Sequence, residues 1–214
     1  MSYMDEIEAK AATKIDVQDY SNEVWGTAVN ERGAIIYVPR GGQFKRNSAC
    51  HELSHVERYW MHRAWRLRAA DANDTFAVDI GNEINNDIEH LFMWRVEEEF
   101  GCDPVRHWTT RFSEIVTKSE WFAKRPFTRR LTTLSALISK EMIDADLYNR
   151  IHAGLHVDDA DLIQASAEIL EVIKEDKRKG ARLMLLTLGL PVERYILERY
   201  DVLWKTKSVR IIRP

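Results

Sequence analysis

Five consecutive residues, His51-Glu52-Leu53-Ser54-His55, place two imidazoles and a carboxylate at a spacing that suits a metal ion. On a helix, positions i and i+4 share a face, so both rings can reach one ion. Glu52 projects beside that ion and can take a proton from a coordinated water. Zn²⁺ held by three protein ligands with one open position lowers the pKa of its water to about 7. Hydrolysis is therefore the chemistry the pattern implies, with one Zn²⁺ per chain. A third ligand has to come from elsewhere.

The segment Asn82-Glu83-Ile84-Asn85-Asn86-Asp87 offers one. Glu83, Asp87, His90 and Trp94 fall at i, i+4, i+7 and i+11 of a second helix. They lie opposite an apolar stripe of Ile80, Ile84, Ile88, Leu91 and Val96. Glu83 is the expected third ligand. Asp87, one turn on, is expected to accept a hydrogen bond from the far nitrogen of a ligating histidine. Glu89 and His90 are rival third ligands.

The pair His51-Glu52-x-x-His55 and Asn82-Glu83-x-x-x-Asp87 resembles the gluzincin metallopeptidases over about residues 30–100. The resemblance implies that His51, His55 and Glu83 bind zinc, that Glu52 is the general base and that Asp87 orients a ligand. It also implies an α+β zincin-like domain with a small antiparallel β element. Ile35, Ile36, Tyr37 and Val38 would form the edge strand that takes an extended peptide by β-addition. The implied function is a zinc-dependent peptidase with one or few protein substrates. The chain departs from the family in length and in lacking a tyrosine between the motifs beyond Tyr59. Transition-state contacts fall by proximity to His90, Arg95, His107 or Arg111. A second resemblance, resting on size and compartment, is to short intracellular H-E-x-x-H peptidases that act on regulators.

Other chemistries compete for the same residues. Glu52-x-x-His55 and Asp87-x-x-His90 are carboxylate-x-x-His units of the kind that build di-metal helical oxidoreductases, although that reading leaves His51 without a role. A non-catalytic zinc protein that serves as a regulatory or interaction platform is the alternative outside enzymes.

Several elements must position these groups. An amphipathic helix and a connector are expected over about the first 25 residues, then a hairpin of Val24–Val29 and Ala34–Val38 turning at Asn30–Gly33. A helix from Asn47 or Ser48 to about Ala70 carries the stripe Leu53, Val56, Trp60, Ala64 and Leu67. After the polar break Asp71–Asp74, the second helix is expected to run from about Val78 to Phe100 and stop at Gly101. From Pro126 onward the pattern reads as helix, including Asp159 or Asp161 to Lys179 with Gly180 as its stop. Residues 181–203 resemble a helix–turn–helix, but an αα-hairpin packed on the catalytic lobe is the favoured reading, and Glu193, Glu198 and Asp201 on the second helix would repel phosphates, so nucleic acid is not expected as a partner. The expected organisation is a zincin-like domain over 1–125 and a helical lobe over 126–214.

Composition sets the remaining bounds. The chain has 214 residues, 45% hydrophobic and 30% charged, with a net charge of −3. That excludes disordered and collagen-like classes and offers no basic field for polyanions. An acidic N-terminal stretch without an apolar core, two cysteines and no long apolar run point to a cytoplasmic protein without a membrane partner. The basic run Lys124–Arg130 and the break Asp71–Asp74 are expected to be a connector between lobes and a helix connector.

Overall fold

The computed structural model describes residues 2–21, 25–41, 45–101, 103–116, 126–153 and 159–212. The fold is α+β, with two three-stranded sheets of order β1-β3-β2 and β4-β5-β6. The chain divides into two compact units, each drawn from separated stretches: residues 1–66, 92–102 and 196–211 form one, and residues 67–91, 103–195 and 212–214 the other.

In the first unit, α1 (Tyr3–Ala11) starts at a capping box in which Ser2 and Asp5 satisfy each other's backbone N–H, and it ends where Ala12 turns left-handed at φ 51°. Strand β1 (Ile15–Tyr20) follows, where the sequence suggested only a connector. Only Ile15 of its six residues is buried, so the strand has almost no apolar alternation to announce it. Strands β2 (Gly26–Val29) and β3 (Ala34–Pro39) make the expected hairpin. The sheet is mixed rather than antiparallel, because β1 joins β3 in parallel.

That pairing overturns the expected edge strand. Ile35, Ile36, Tyr37 and Val38 lie in the central strand; Ile35, for example, stands between Asp16 of β1 and Ala28 of β2. Both hydrogen-bonding edges of β3 are filled, and the edges of this sheet are β1 and β2.

Helix α2 (Arg46–Trp60) carries the first motif. It stops well before Ala70, because Met61 closes its last turn and Arg63 adopts a left-handed φ of 48°. Ala64 and Leu67 are buried as expected, but they belong to the turn and to β4 (Arg66–Ala69). The core of this unit joins Ile7 and Ala11 of α1, Ile15, Val29, Ala34 and Ile36 of the sheet, and Leu53, Val56, Tyr59 and Trp60 of α2. Burial of this apolar surface is what fixes α2 against the sheet, at roughly 25 cal/mol per Å² removed from water. The Trp60 indole N–H donates to the Asn30 carbonyl at 3.0 Å, tying the helix to the hairpin turn.

Helix α3 (Thr75–Glu99) is continuous across the division between units. Its N-terminus is capped by Asp74, whose carboxylate accepts from the Ala77 N–H at 3.1 Å, and Gly101 ends it at φ 73°. The Asp71–Asp74 break is thus a helix connector, as expected.

In the second unit, α4 (Pro104–Val116), α5 (Pro126–Ile138), α6 (Ala145–Ala153), α7 (Asp161–Glu175) and α8 (Lys177–Thr187) follow. Gly180 is not a helix stop. The break comes at Asp176, which caps α8, while Gly180 lies inside α8, where a Cβ would stand 2.2 Å from Ile173 Cγ1. The glycine is required for close helix packing rather than for a left-handed turn. Arg129 and Arg130 pair with Asp159 and Asp161, so part of the basic run is consumed internally; the rest of it lies outside the described residues.

The helix–turn–helix and αα-hairpin expectations both fail. Gly189 does make a left-handed turn at φ 68°, but Tyr195–Asp201 is strand β5 and pairs antiparallel with β6 (Thr206–Ile211). Tyr195, Ile196, Tyr200 and Val202 are strand formers, and cross-strand pairing outweighs their apparent helical spacing. No helix among the described residues is long and apolar enough to cross a membrane.

Candidate metal centre

The i, i+4 spacing on α2 does what it implies locally. The rings of His51 and His55 lie 5.0 Å apart, edge to face, on successive turns. His55 is buried and its ring stacks parallel to Tyr59 at 6.5 Å. His90 of α3 completes the group: one ligand atom from each of His51, His55 and His90 lies within 4.8 Å of the others, and the three could hold a metal ion. Four-coordinate Zn²⁺ with Zn–N of about 2.0–2.1 Å requires nitrogens about 3.4 Å apart. The nitrogens would have to draw together by up to about 1.4 Å to hold such an ion.

The third member is therefore His90 and not Glu83. Glu83 sits two helical turns earlier, about 10 Å along the axis at 1.5 Å per residue, and its side chain is exposed. The heptad spacing puts both residues on one face, so spacing alone could not choose between them. Burial separates them, since His90 is only 4% exposed and its ring lies 4.3 Å from that of Trp108 on α4.

The carboxylate that orients a ligand is one the sequence did not single out. Glu97, 5% exposed, places Oε1 2.6 Å from His51 Nδ1. A carboxylate can only accept, so Nδ1 carries the hydrogen and donates it, and Nε2 is left with the lone pair a metal needs. Glu97-Glu98-Glu99 reads as a solvated helix end, and only the side Glu97 faces distinguishes it from its exposed neighbours. Asp87, for which the same role is expected, accepts a hydrogen bond from the Ser135 hydroxyl of α5 through one of its two oxygens.

Glu52 is 8% exposed and receives the hydroxyl of Thr27 on β2. Burial pushes its carboxyl above the ordinary value; the adjacent His51 imidazole and the Thr27 hydrogen bond act against that, and the charge of Glu97 adds to it. A carboxyl whose pKa is raised, one residue from a candidate metal ligand, holds a proton more readily than an ordinary carboxylate, which suits it to accept and return one. Thr27 is a second residue the motif did not reveal; the signal was its place in the strand that α2 packs against.

Arg95 is exposed and lies over the ring of its neighbour Trp94, 5.5 Å from its centroid. His107 and Arg111 belong to α4, but their side chains lie outside the described residues, as do Trp121 and Cys102. Compared with models of known families, with curated proteins and with solved structures, the chain has no significant match.

Proposed function

We propose that the protein is a metal-dependent peptidase with a zincin-like catalytic domain, acting on one or few protein substrates. The observation that carries this reading is the grouping of three imidazoles, with nitrogens within 4.8 Å, beside a buried glutamate one residue after the first of them. Three neutral imidazoles that leave a coordination position open suit Zn²⁺ among the divalent metals. Bound there, Zn²⁺ would supply a Lewis acid for the scissile carbonyl and an acidified water.

The chain's own residues account for the proton handling. Glu52 Oε accepts a proton from the attacking water, and the same oxygen returns it to the leaving nitrogen. Thr27 fixes the carboxylate through its hydroxyl. Glu97 holds the His51 ring and its tautomer. Among the described residues β2 is an edge strand of its sheet, and it is the place this reading assigns to an extended substrate strand, next to Thr27 and short of Val29, whose carbonyl accepts from Arg66 at 3.4 Å.

Glu52→Gln is expected to keep one Zn²⁺ per chain, measured by elemental analysis, and to lose about 10²–10⁴-fold in turnover of a broad peptide library. Equal turnover of the variant and the wild type would remove the peptidase reading while leaving the metal centre intact.

A further inference from the structure

Helix α2 lines a pocket with a second face. Arg46, Ala49, Cys50 and Leu53 recur at i, i+3, i+4 and i+7 and line a cavity of about 530 Å³, wholly within the first unit. At 100° per residue this stripe lies across the helix axis from His51 and His55. The cavity is therefore separate from the metal centre.

Its walls are apolar. Met4 of α1, Val17 of β1, Trp25, Ile36 and Val38 close it from the other side. The polar groups among the lining residues are already engaged: the Ser2 hydroxyl caps α1, and the Tyr3 hydroxyl donates to Glu57 at 2.8 Å while its ring stacks on Phe100 at 4.2 Å. The space is partly open to solvent, since Ser2, Val17 and Arg46 on its rim are exposed, and its apolar walls offer water few partners. The volume falls in the usual range of ligand pockets, about 300–1,000 Å³.

One lining residue is charged. Arg46 is exposed, and among the described residues no carboxylate pairs with its guanidinium. It is the first residue of α2, whose N-cap Lys45 makes no side-chain hydrogen bond, so the positive end of the helix adds to the same charge. An apolar chamber with a single cation at its wall fits an amphipathic monoanion. We propose that the cavity binds a medium- or long-chain carboxylate, with the alkyl chain among Met4, Val17, Trp25 and Leu53 and the carboxylate on Arg46. A guanidinium binds a carboxylate through two parallel hydrogen bonds, which gives the headgroup its selectivity.

The test uses the full chain and three ligands that share an alkyl tail: dodecanoate, dodecanol and dodecyltrimethylammonium, each below its micellar concentration, followed by titration calorimetry. Saturable one-to-one binding is expected for dodecanoate, with weaker binding of the alcohol and weakest of the cation. Arg46→Glu is expected to weaken dodecanoate by about tenfold or more, the size of a charge-assisted hydrogen bond, while dodecanol is unaffected. Val17→Trp, at an exposed position on the cavity wall, is expected to weaken both ligands. Independently of any fold change in those variants, saturating dodecanoate should slow alkylation of the Cys50 thiol in a Cys102→Ser background. Equal binding of the three headgroups, no binding of dodecanoate, or an alkylation rate indifferent to it would overturn the proposal.

Discussion

Helices α2 and α3 both carry acids and histidines, yet they place them by different means. On α2 the functional residues occupy successive turns, and the rest of its buried surface is mainly apolar, with Cys50, Leu53, Val56 and Trp60. On α3 the buried surface itself is polar: Asn85, Asp87, Glu89, His90 and Glu97 are all under 9% exposed. Each meets a different element. Asn85 accepts from the Leu67 backbone at 3.0 Å, Asp87 from Ser135, and Glu89 pairs with Lys177, while Glu97 holds His51. Burying such groups costs free energy unless each is hydrogen-bonded or paired. Spacing thus brings the α2 histidines onto successive turns, with Glu97 and Thr27 then orienting His51 and Glu52, whereas the buried polar groups of α3 depend throughout on partners supplied from distant parts of the chain.

The largest expected effect tests that contrast. His51→Ala, His55→Ala and His90→Ala are each expected to weaken Zn²⁺ binding by more than about 100-fold, since removing a ligand should exceed the 10–100-fold typical of its hydrogen-bonding partners. Glu83→Ala is expected to bind as the wild type does. Competition titration with a chromophoric chelator measures all four. Retained affinity in His90→Ala together with lost affinity in Glu83→Ala would restore the ligand set that the Asn-Glu-x-x-x-Asp pattern implies, and the contrast would vanish.

The same contrast explains what could be read from the chain. The motif on α2, the hairpin of β2 and β3, the start and stop of α3 and the helices from Pro126 to Thr187 all follow local rules of spacing, capping and turns. Glu97 could not be found that way, because it is one of three consecutive glutamates and only the ring it meets sets it apart. Strand β1 was hidden by its polar alternation, and with it the centrality of Ile35–Val38, because strand order is a property of pairing. The β5–β6 hairpin was hidden for the opposite reason. Its apolar residues fit helical spacing well enough, and a partner strand decided otherwise. Gly180 carried a local signal whose meaning was reversed by Ile173.

A smaller effect sharpens the part played by α3. Glu97→Ala removes the acceptor of His51 Nδ1 and frees the ring to rotate and change tautomer. It is expected to lower Zn²⁺ affinity by about 10–100-fold, less than the loss of a ligand. Glu97→Gln keeps an acceptor oxygen and is expected to lie between that variant and the wild type. Unchanged affinity in Glu97→Ala would mean that the 2.6 Å contact does not position the ligand.

The smallest effect concerns how the two helices begin. Lys45 gives α2 no side-chain cap, whereas Asp74 caps α3 through the Ala77 N–H and also receives Arg194 Nε at 2.8 Å. The Arg194 hydrogen bond first, and the Ala77 N–H second, hold the Asp74 carboxyl below its ordinary value of 3.8. A carboxyl with a depressed folded-state pKa stabilises the fold above its unfolded pKa, and that contribution disappears as pH falls through the folded value. Asp74→Ala is therefore expected to lower stability at pH 7 through loss of the N-cap, read from denaturant midpoints. As pH falls below 3.8 and through the depressed folded-state value, the difference between variant and wild type should shrink, because the wild-type carboxylate is then being protonated. Serine at position 74 would keep a cap without the charge, so its stability difference from the wild type isolates the Arg194 pairing. A pH-independent gap between Asp74→Ala and the wild type would show that the ionised carboxylate does not stabilise the start of α3.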